Sequence, residues 1–274
     1  MNLRKLDCSV LICVYGGDKP EYFGEAIESI LNQTVKPGEI VVVVDGVIGG
    51  ALKNKIDEVS KKNECVKVVA LAKNVGVGMA SNEGLKHCEN ELVAKMDADD
   101  IAVRNRLELQ LAEFEKDPKL ILLGGQLAEF SGSPDIVVAY RKVPTTAKKI
   151  REFARRRSPF NNQTVMYKKS AVAAAGGYPK LNRAEDYYLY SKLIAMGYKT
   201  RNLSDVLAYF RLDDGAMKRR RTWRHTKEII KVRNEIRKFG MSSGLDLVVT
   251  SLMQIAIFIM PPFFTKWAYR RSRK

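Results

Sequence analysis

The sequence predicts a doubly wound α/β fold, a largely parallel central sheet with helices on its faces. Short runs that are apolar at nearly every position alternate with segments of helical periodicity. The runs are rich in β-branched residues, as strands buried on both faces are. Loops bearing acids and glycines follow the runs at their carboxyl ends, which is where such sheets bind ligands.

The first run, 9–15 (SVLICVY), is apolar throughout. Gly16-Gly17-Asp18-Lys19-Pro20 interrupts it, and 22–33 then reads as an amphipathic helix with Phe23, Ala26, Ile27, Ile30 and Leu31 on one side. Pro37-Gly38 breaks the chain before a second strand, 40–44 (IVVVV), which ends at Asp45-Gly46. A helix over 51–61 and a third strand over 66–71 follow, and the loop Asn74-Val75-Gly76-Val77-Gly78 leads into a helix over 80–87. The fourth strand, 92–96, is apolar except for Lys95. Next come a helix over 105–116, an apolar strand over 120–124 and a basic stretch at 151–157. A strand over 161–167 is approached by a polar loop, Gly176-Gly177-Tyr178 is a turn, and Glu185-Asp186 opens a helix that runs to about Met196 and stops at Gly197.

The fourth strand ends in Met96-Asp97-Ala98-Asp99-Asp100, three carboxylates in four residues. Hard oxygen ligands of this kind suit Mg²⁺ or Mn²⁺, which in turn bind phosphate oxygens. An acidic turn capping the next helix is the alternative for the motif alone. Polar segments at 15–18, 45, 74–78 and 97–100 all fall at strand carboxyl ends, and four such segments on one edge are hard to explain as capping. The glycine loop lacks the third glycine of a dinucleotide fingerprint, and no G-x-x-x-x-G-K-[ST] occurs, which disfavours an ATPase or kinase of that class.

With 274 residues, 46% hydrophobic and 28% charged, the chain can bury a full core and has no need of disorder. The four cysteines show no C-x-x-C spacing and read as free thiols in a reducing compartment. Two histidines, His87 and His225, argue against a histidine-based metal site. Arg4, Lys5 and Asp7 with no long apolar core give no signal peptide. The net charge of +16 is uneven: residues 216–274 hold fifteen Lys and Arg against three acids, so +12 sits in the tail. A basic tail on a nearly neutral body implies an anionic surface as partner.

The stretches SVLICVYGGDKPEYFGEAIESILNQT, EIVVVVDG, NVGVGMASNEGL, LVAKMDADD and NRLELQ resemble the family 2 glycosyltransferases of the GT-A fold, bacterial enzymes that build surface polysaccharides and lipopolysaccharide. The resemblance covers roughly 8–211. It implies a Rossmann-like mixed or parallel sheet flanked by helices over 1–212, with a nucleotide-sugar half to about 100 and an acceptor half after it. It also implies inverting transfer of a sugar from a nucleotide diphosphate, UDP being favoured, to an acceptor hydroxyl. The matched positions imply Asp186 as general base with Glu185 orienting the site, and Asp99 as metal ligand with Asp97 on the metal or the ribose. Val14, Tyr15, Asp18, Asp45, Asn74, Gly76, Asn82 and Ala98 match the nucleotide-sugar pocket. Asp100 would brace its loop. Departures from the family pattern are Val44 before Asp45 where two aspartates are usual, Asp18 for Glu, Ser81 for Arg, Asn162 for His and Gln163 for Pro.

Residues 213–274 form a basic and apolar extension. Lys218 to Arg221 and the stretch 224–238 are basic, with Ile229, Ile230, Val232 and Ile236 interleaved. The apolar stretch 245–264 is interrupted by Asp246, Gln254 and Pro261-Pro262, too soon for a spanning helix. Trp267 and Tyr269 precede four terminal basic residues. Together they predict a segment lying on the cytoplasmic leaflet, which would place the protein in the cytoplasm on the inner face of the membrane, near a lipid-linked glycan acceptor. The alternative is a helix packed on the catalytic domain with solvated charges. A nucleotidyltransferase is a second enzymatic reading, disfavoured because an acid, Asp18, follows the first strand where a basic loop is needed. A nucleic-acid-binding tail is the third, ranked low because no such motif is present, so nucleic acid is not expected as a partner.

Overall fold

The computed structural model describes residues 7–181, 183–212 and 222–259. The expectations for Lys218 to Arg221, Pro261-Pro262 and everything after them lie outside the described residues.

Chain order is β1 (Cys8–Tyr15), α1 (Pro20–Leu31), β2 (Glu39–Asp45), α2 (Gly50–Lys62), β3 (Val66–Ala70), α3 (Val77–His87) and β4 (Leu92–Asp97). Then come β5 (Ile101–Ala102), α4 (Arg106–Lys116), β6 (Leu120–Ser131), β7 (Ser133–Arg141) and α5 (Ala147–Ala154). A 3₁₀ turn (Asn162–Thr164), β8 (Met166–Lys168), α6 (Lys169–Ala174), α7 (Glu185–Ala195), β9 (Lys199–Arg211), α8 (Trp223–Lys238) and α9 (Gly244–Ile259) complete it.

The first four strands lie parallel in the order β3-β2-β1-β4. Their all-apolar sequences follow from burial on both faces. Because side chains alternate, Val10, Ile12, Val42 and Val44 face α1, α2 and α4, where Phe23, Ile27, Ile56, Leu107 and Phe114 close one core. Leu11, Val41, Val43 and Val93 face the other way, onto Ala80 and Leu85 of α3, Leu189 and Leu193 of α7, and Val232 and Ile236 of α8.

The sheet continues past β4 as β8-β6-β9-β5, and β7 pairs with β6. Here the fold departs from an all-parallel sheet, because β8 runs antiparallel to both β4 and β6 while β6 and β9 are parallel. The expected strand over 161–167 is shorter than its sequence suggests. Its polar half is the 3₁₀ turn, and only Met166–Lys168 pairs. Strands β7 and β9 and helix α6 carried no sequence expectation. In β7, Ile136, Val138 and Tyr140 are exposed, so the edge strand lacks the apolar-in pattern that would have announced it.

Helix α9 is built inside out. Asp246, Thr250 and Gln254, at i, i+4 and i+8, form its buried stripe, while Leu245, Val248, Leu252, Met253, Ile257 and Ile259 are exposed. The polar stripe is held by polar partners. Arg155 donates from Nε and Nη2 to Asp246 Oδ2 at 3.0 and 2.7 Å, and Arg156 Nε donates to Oδ1 at 2.9 Å. Arg233 Nη1, on α8, donates to the Thr250 carbonyl at 2.6 Å. Among the described residues no helix is long and apolar enough to cross a membrane.

Candidate active site

The carboxyl ends of β1, β2 and β4 and the loop before α3 open onto one cleft of about 430 Å³. Cys13, Val14, Tyr15, Asp18, Asp45, Asn74, Gly76, Val77, Lys95, Met96, Asp97, Ala98, Asp99, Asn162 and Glu185 line it. Nearly all of the residues expected from sequence meet here.

Each wall has a local cause. Asp18 closes the loop after β1, its Oδ2 accepting from Tyr15 N at 2.9 Å and its own N–H donating to the Tyr15 carbonyl. Asp45 takes both amides of the opposite loop, with Val75 N on Oδ1 at 2.7 Å and Gly76 N on Oδ2 at 3.0 Å. Asp45 thus shapes the loop Asn74–Gly76 while lining the cleft. That contact also explains Gly46: with φ +84°, a Cβ there would stand 2.4 Å from Asn74 N. Asn82, expected at the pocket wall, is not among the residues that line this cleft. Its amide instead clamps Tyr178, accepting from the Tyr178 N–H and donating to the Tyr178 carbonyl, both at 2.8 Å.

The aspartate loop divides its labour. Asp100 is fully buried and accepts from Arg211 N at 2.9 Å and from Gln163 Nε2 at 2.8 Å, which is the bracing role expected of it. Arg211 also donates from Nε to the Asp99 carbonyl at 3.1 Å, tying the loop to β9. Beneath the loop, buried Arg106 donates from Nη2 to the Lys95 carbonyl at 2.7 Å and the Val165 carbonyl at 3.2 Å, and so fixes β4 against the 3₁₀ turn. Asp97 and Asp99 line the cleft.

Asp97 reaches α7 through Asn162. Asn162 Nδ2 donates to Asp97 Oδ1 at 3.1 Å, and the Tyr190 hydroxyl donates to Asn162 Oδ1 at 2.8 Å. At the start of α7, Ala184 has φ +54°, a sparsely populated conformation for a residue with a Cβ, directly before the acid pair. Glu185 lines the cleft and packs against α3 where Gly78 leaves space for it: a Cβ on Gly78 would stand 3.0 Å from Glu185 Cγ. Asp186 is half-buried beside it and is not among the lining residues.

Five carboxylates line the cleft, with Lys95 as its only cation among the described residues. At an effective dielectric near 20, like charges about 6 Å apart repel by about 3 kcal/mol, enough to hold protons on. Burial pushes Asp18 up to about 6, with Asp99 and Asp97 adding to it against the Tyr15 amide. Burial and repulsion from Asp186 push Glu185 up to about 7. Asp97 is raised by burial, which outweighs Lys95, and Asp186 repels it. Asp186 is raised by burial against hydrogen bonds from its own and the Tyr187 amide. A cleft this acidic is suited to a bound cation. Among the described residues no three His, Cys, Asp or Glu side chains converge as a cage. The carboxyl oxygens of Asp97 and Asp99 are of the hard donor type that a Mg²⁺-type ion takes.

Sequence reasoning missed the place of Lys95 and Tyr190 in this arrangement. Lys95 was visible as a charge in an apolar strand, whereas Tyr190 needs the tertiary contact with Asn162 to declare itself.

Comparison with known proteins agrees with this geometry. The family model for glycosyl transferase family 2 matches residues 9–174. An uncharacterized glycosyltransferase of Haemophilus influenzae is 40% identical over 265 residues, 96% of this chain and 97% of that protein. The Escherichia coli UDP-Gal:alpha-D-GlcNAc-diphosphoundecaprenol beta-1,3-galactosyltransferase is 31% identical, covering 96% of this chain and 95% of its own. Among solved structures, S. aureus TarS 1-349 in complex with UDP-GlcNAc superposes with a TM-score of 0.67 at 21% identity, over 92% of this chain and 73% of that one. The strands and their order are thus those of a GT-A fold, and the chain belongs to the family 2 glycosyl transferases.

Proposed function

We propose that the protein transfers a hexosyl group with inversion from a nucleotide-diphosphate donor, UDP-linked, to a hydroxyl of a lipid-linked glycan in surface polysaccharide synthesis. The observation that carries this reading is the meeting of four strand-end loops with Glu185, the first acid of the α7 pair, across one cleft, with Asp186 next to it. Asp186 takes the acceptor proton as the hydroxyl oxygen attacks the anomeric carbon, and the bond from that carbon to the β-phosphate oxygen breaks. Glu185 orients the acceptor. Tyr15, Asp18 and the Asp45-ordered loop hold the nucleoside. Asp97 and Asp99 would hold Mg²⁺ or Mn²⁺, which when bound offsets charge on the departing diphosphate.

The acceptor class is supported by the lipid diphosphate named for the E. coli relative. It is supported also by α9, whose exposed apolar face beside the basic α8 suits an anionic membrane surface. We place the protein on the inner face of the cell membrane, lying on it. A panel of nucleotide sugars, assayed for binding and transfer with Mg²⁺ and Mn²⁺, tests the reading. Binding of a UDP-sugar that disappears in Asp99→Ala is the expected result, and no binding of any donor would sink it.

A further inference from the structure

We propose that Lys95 is the cationic contact of the cleft for the donor's diphosphate. The inference rests on the donor reading above and adds a residue to it. Lys95 lies on β4 two positions before Asp97, so both side chains leave the same face of the strand. The residue is 1% exposed, yet it lines the cleft. Its Nζ donates to Ser81 Oγ at 3.0 Å and approaches Cys13 Sγ at 3.8 Å. Both partners are neutral, and its hydrogen bonds include none to a carboxylate.

A buried ammonium whose hydrogen bonds go to neutral groups is costly in a strand interior, and the nearby charges of Asp97 and Glu185 offset it without a direct hydrogen bond. Three donors point from the nitrogen, and Ser81 and Cys13 account for two. The position makes sense once an anion arrives. The five lining carboxylates repel a diphosphate, and a cation on Asp97 and Asp99 relieves only the part nearest them. A lysine beneath the same carboxylates supplies a point charge for phosphate oxygen at a place no other described cation lines. Ser81 is short, which leaves the ammonium its space on α3. A longer basic side chain at 81 would bring its own charge to the same spot. An arginine introduced at 81 would then do from α3 what Lys95 does from β4.

The test is calorimetric binding of UDP and UMP to the full chain with Mn²⁺ present. Lys95→Met should weaken UDP at least tenfold and leave UMP within twofold. Lys95→Arg should keep UDP within about threefold, and adding Ser81→Arg to Lys95→Met should recover most of the lost affinity. Thermal melts establish that each variant is folded, and Lys95→Gln, read the same way, replaces Lys95→Met if that variant is not. UDP affinity unchanged in the folded Lys95 variant overturns the proposal, as does an equal loss for UMP. Either result leaves the donor reading standing, whereas wild-type protein that fails to bind UDP removes the donor reading and this inference with it.

Discussion

The catalytic cleft and helix α9 break the same rule in opposite senses. At the cleft, charge is gathered at the ends of strands that are otherwise apolar, and several carboxyls are driven to hold protons. On α9 the polar stripe is inside and the apolar face is out. A folded chain in water gains from neither arrangement by itself, since burying charge is costly and exposing Leu and Ile forgoes burial. On the function proposed above, each becomes favourable when a particular partner arrives: a metal-bound diphosphate at the cleft, a lipid surface at the helix. Misplaced polarity is therefore a pointer to what a surface meets.

The comparison can be broken most sharply at Asp186. Asp186→Asn should lower transfer by roughly 10²–10⁴-fold, the range for losing a general base, while donor binding is retained. Retained transfer would remove Asp186 from that role and point to Glu185, which lines the cleft directly.

At the other region, Leu252→Glu with Met253→Glu should weaken binding to anionic phospholipid vesicles, read by co-sedimentation, by roughly 10²–10⁴-fold, since each of the two buried side chains contributes about 1.5–3 kcal/mol. Unfolding should be unchanged, because both side chains are exposed, at 62% and 59%. A wild-type dimer that falls apart in this variant would instead give the face to a second copy of the chain.

A smaller effect separates bracing from chemistry within the aspartate loop. Asp100→Ala leaves the Arg211 amide and the Gln163 side chain without their acceptor, and should lower the unfolding free energy by about 2–3 kcal/mol in urea titrations. A variant with wild-type stability would show that the loop is held elsewhere.

The smallest is a pH effect. Folded Glu185 holds its proton to about 7 against an ordinary 4.5, so the folded chain binds more protons in between. The stability from that proton is complete below about 4.5 and is lost as pH rises through 7, a change of about 1–3 kcal/mol for a half-buried group. Glu185→Gln should flatten that part of the metal-free stability profile, and an unaltered slope would mean that other carboxyls produce it.

Much of this was legible before any coordinates. The alternation of apolar runs and amphipathic segments specified the parallel half of the sheet, because strands covered on both faces must be apolar at every position. The loops at their ends were identifiable because acids and glycines there interrupt so strong a pattern. The second half was harder. Strand β8 has only three residues, and β7 is an exposed edge whose side chains follow no buried periodicity.

The sequence by itself determined the fold class, the family and the acids of the site, since these reside in local pattern and in motifs of fixed spacing. Only the tertiary structure decided how those acids divide their work. It joined Asp97 to Tyr190 through Asn162, turned Asp100 inward to bind the chain 111 residues later, and took Asn82 out of the cleft. It also turned the apolar face of α9 outward by giving Asp246 two arginines from the residues that follow α5, Arg155 and Arg156. Those outcomes depend on contacts between residues far apart in the chain, and a local pattern carries no record of which distant partner a polar side chain will find.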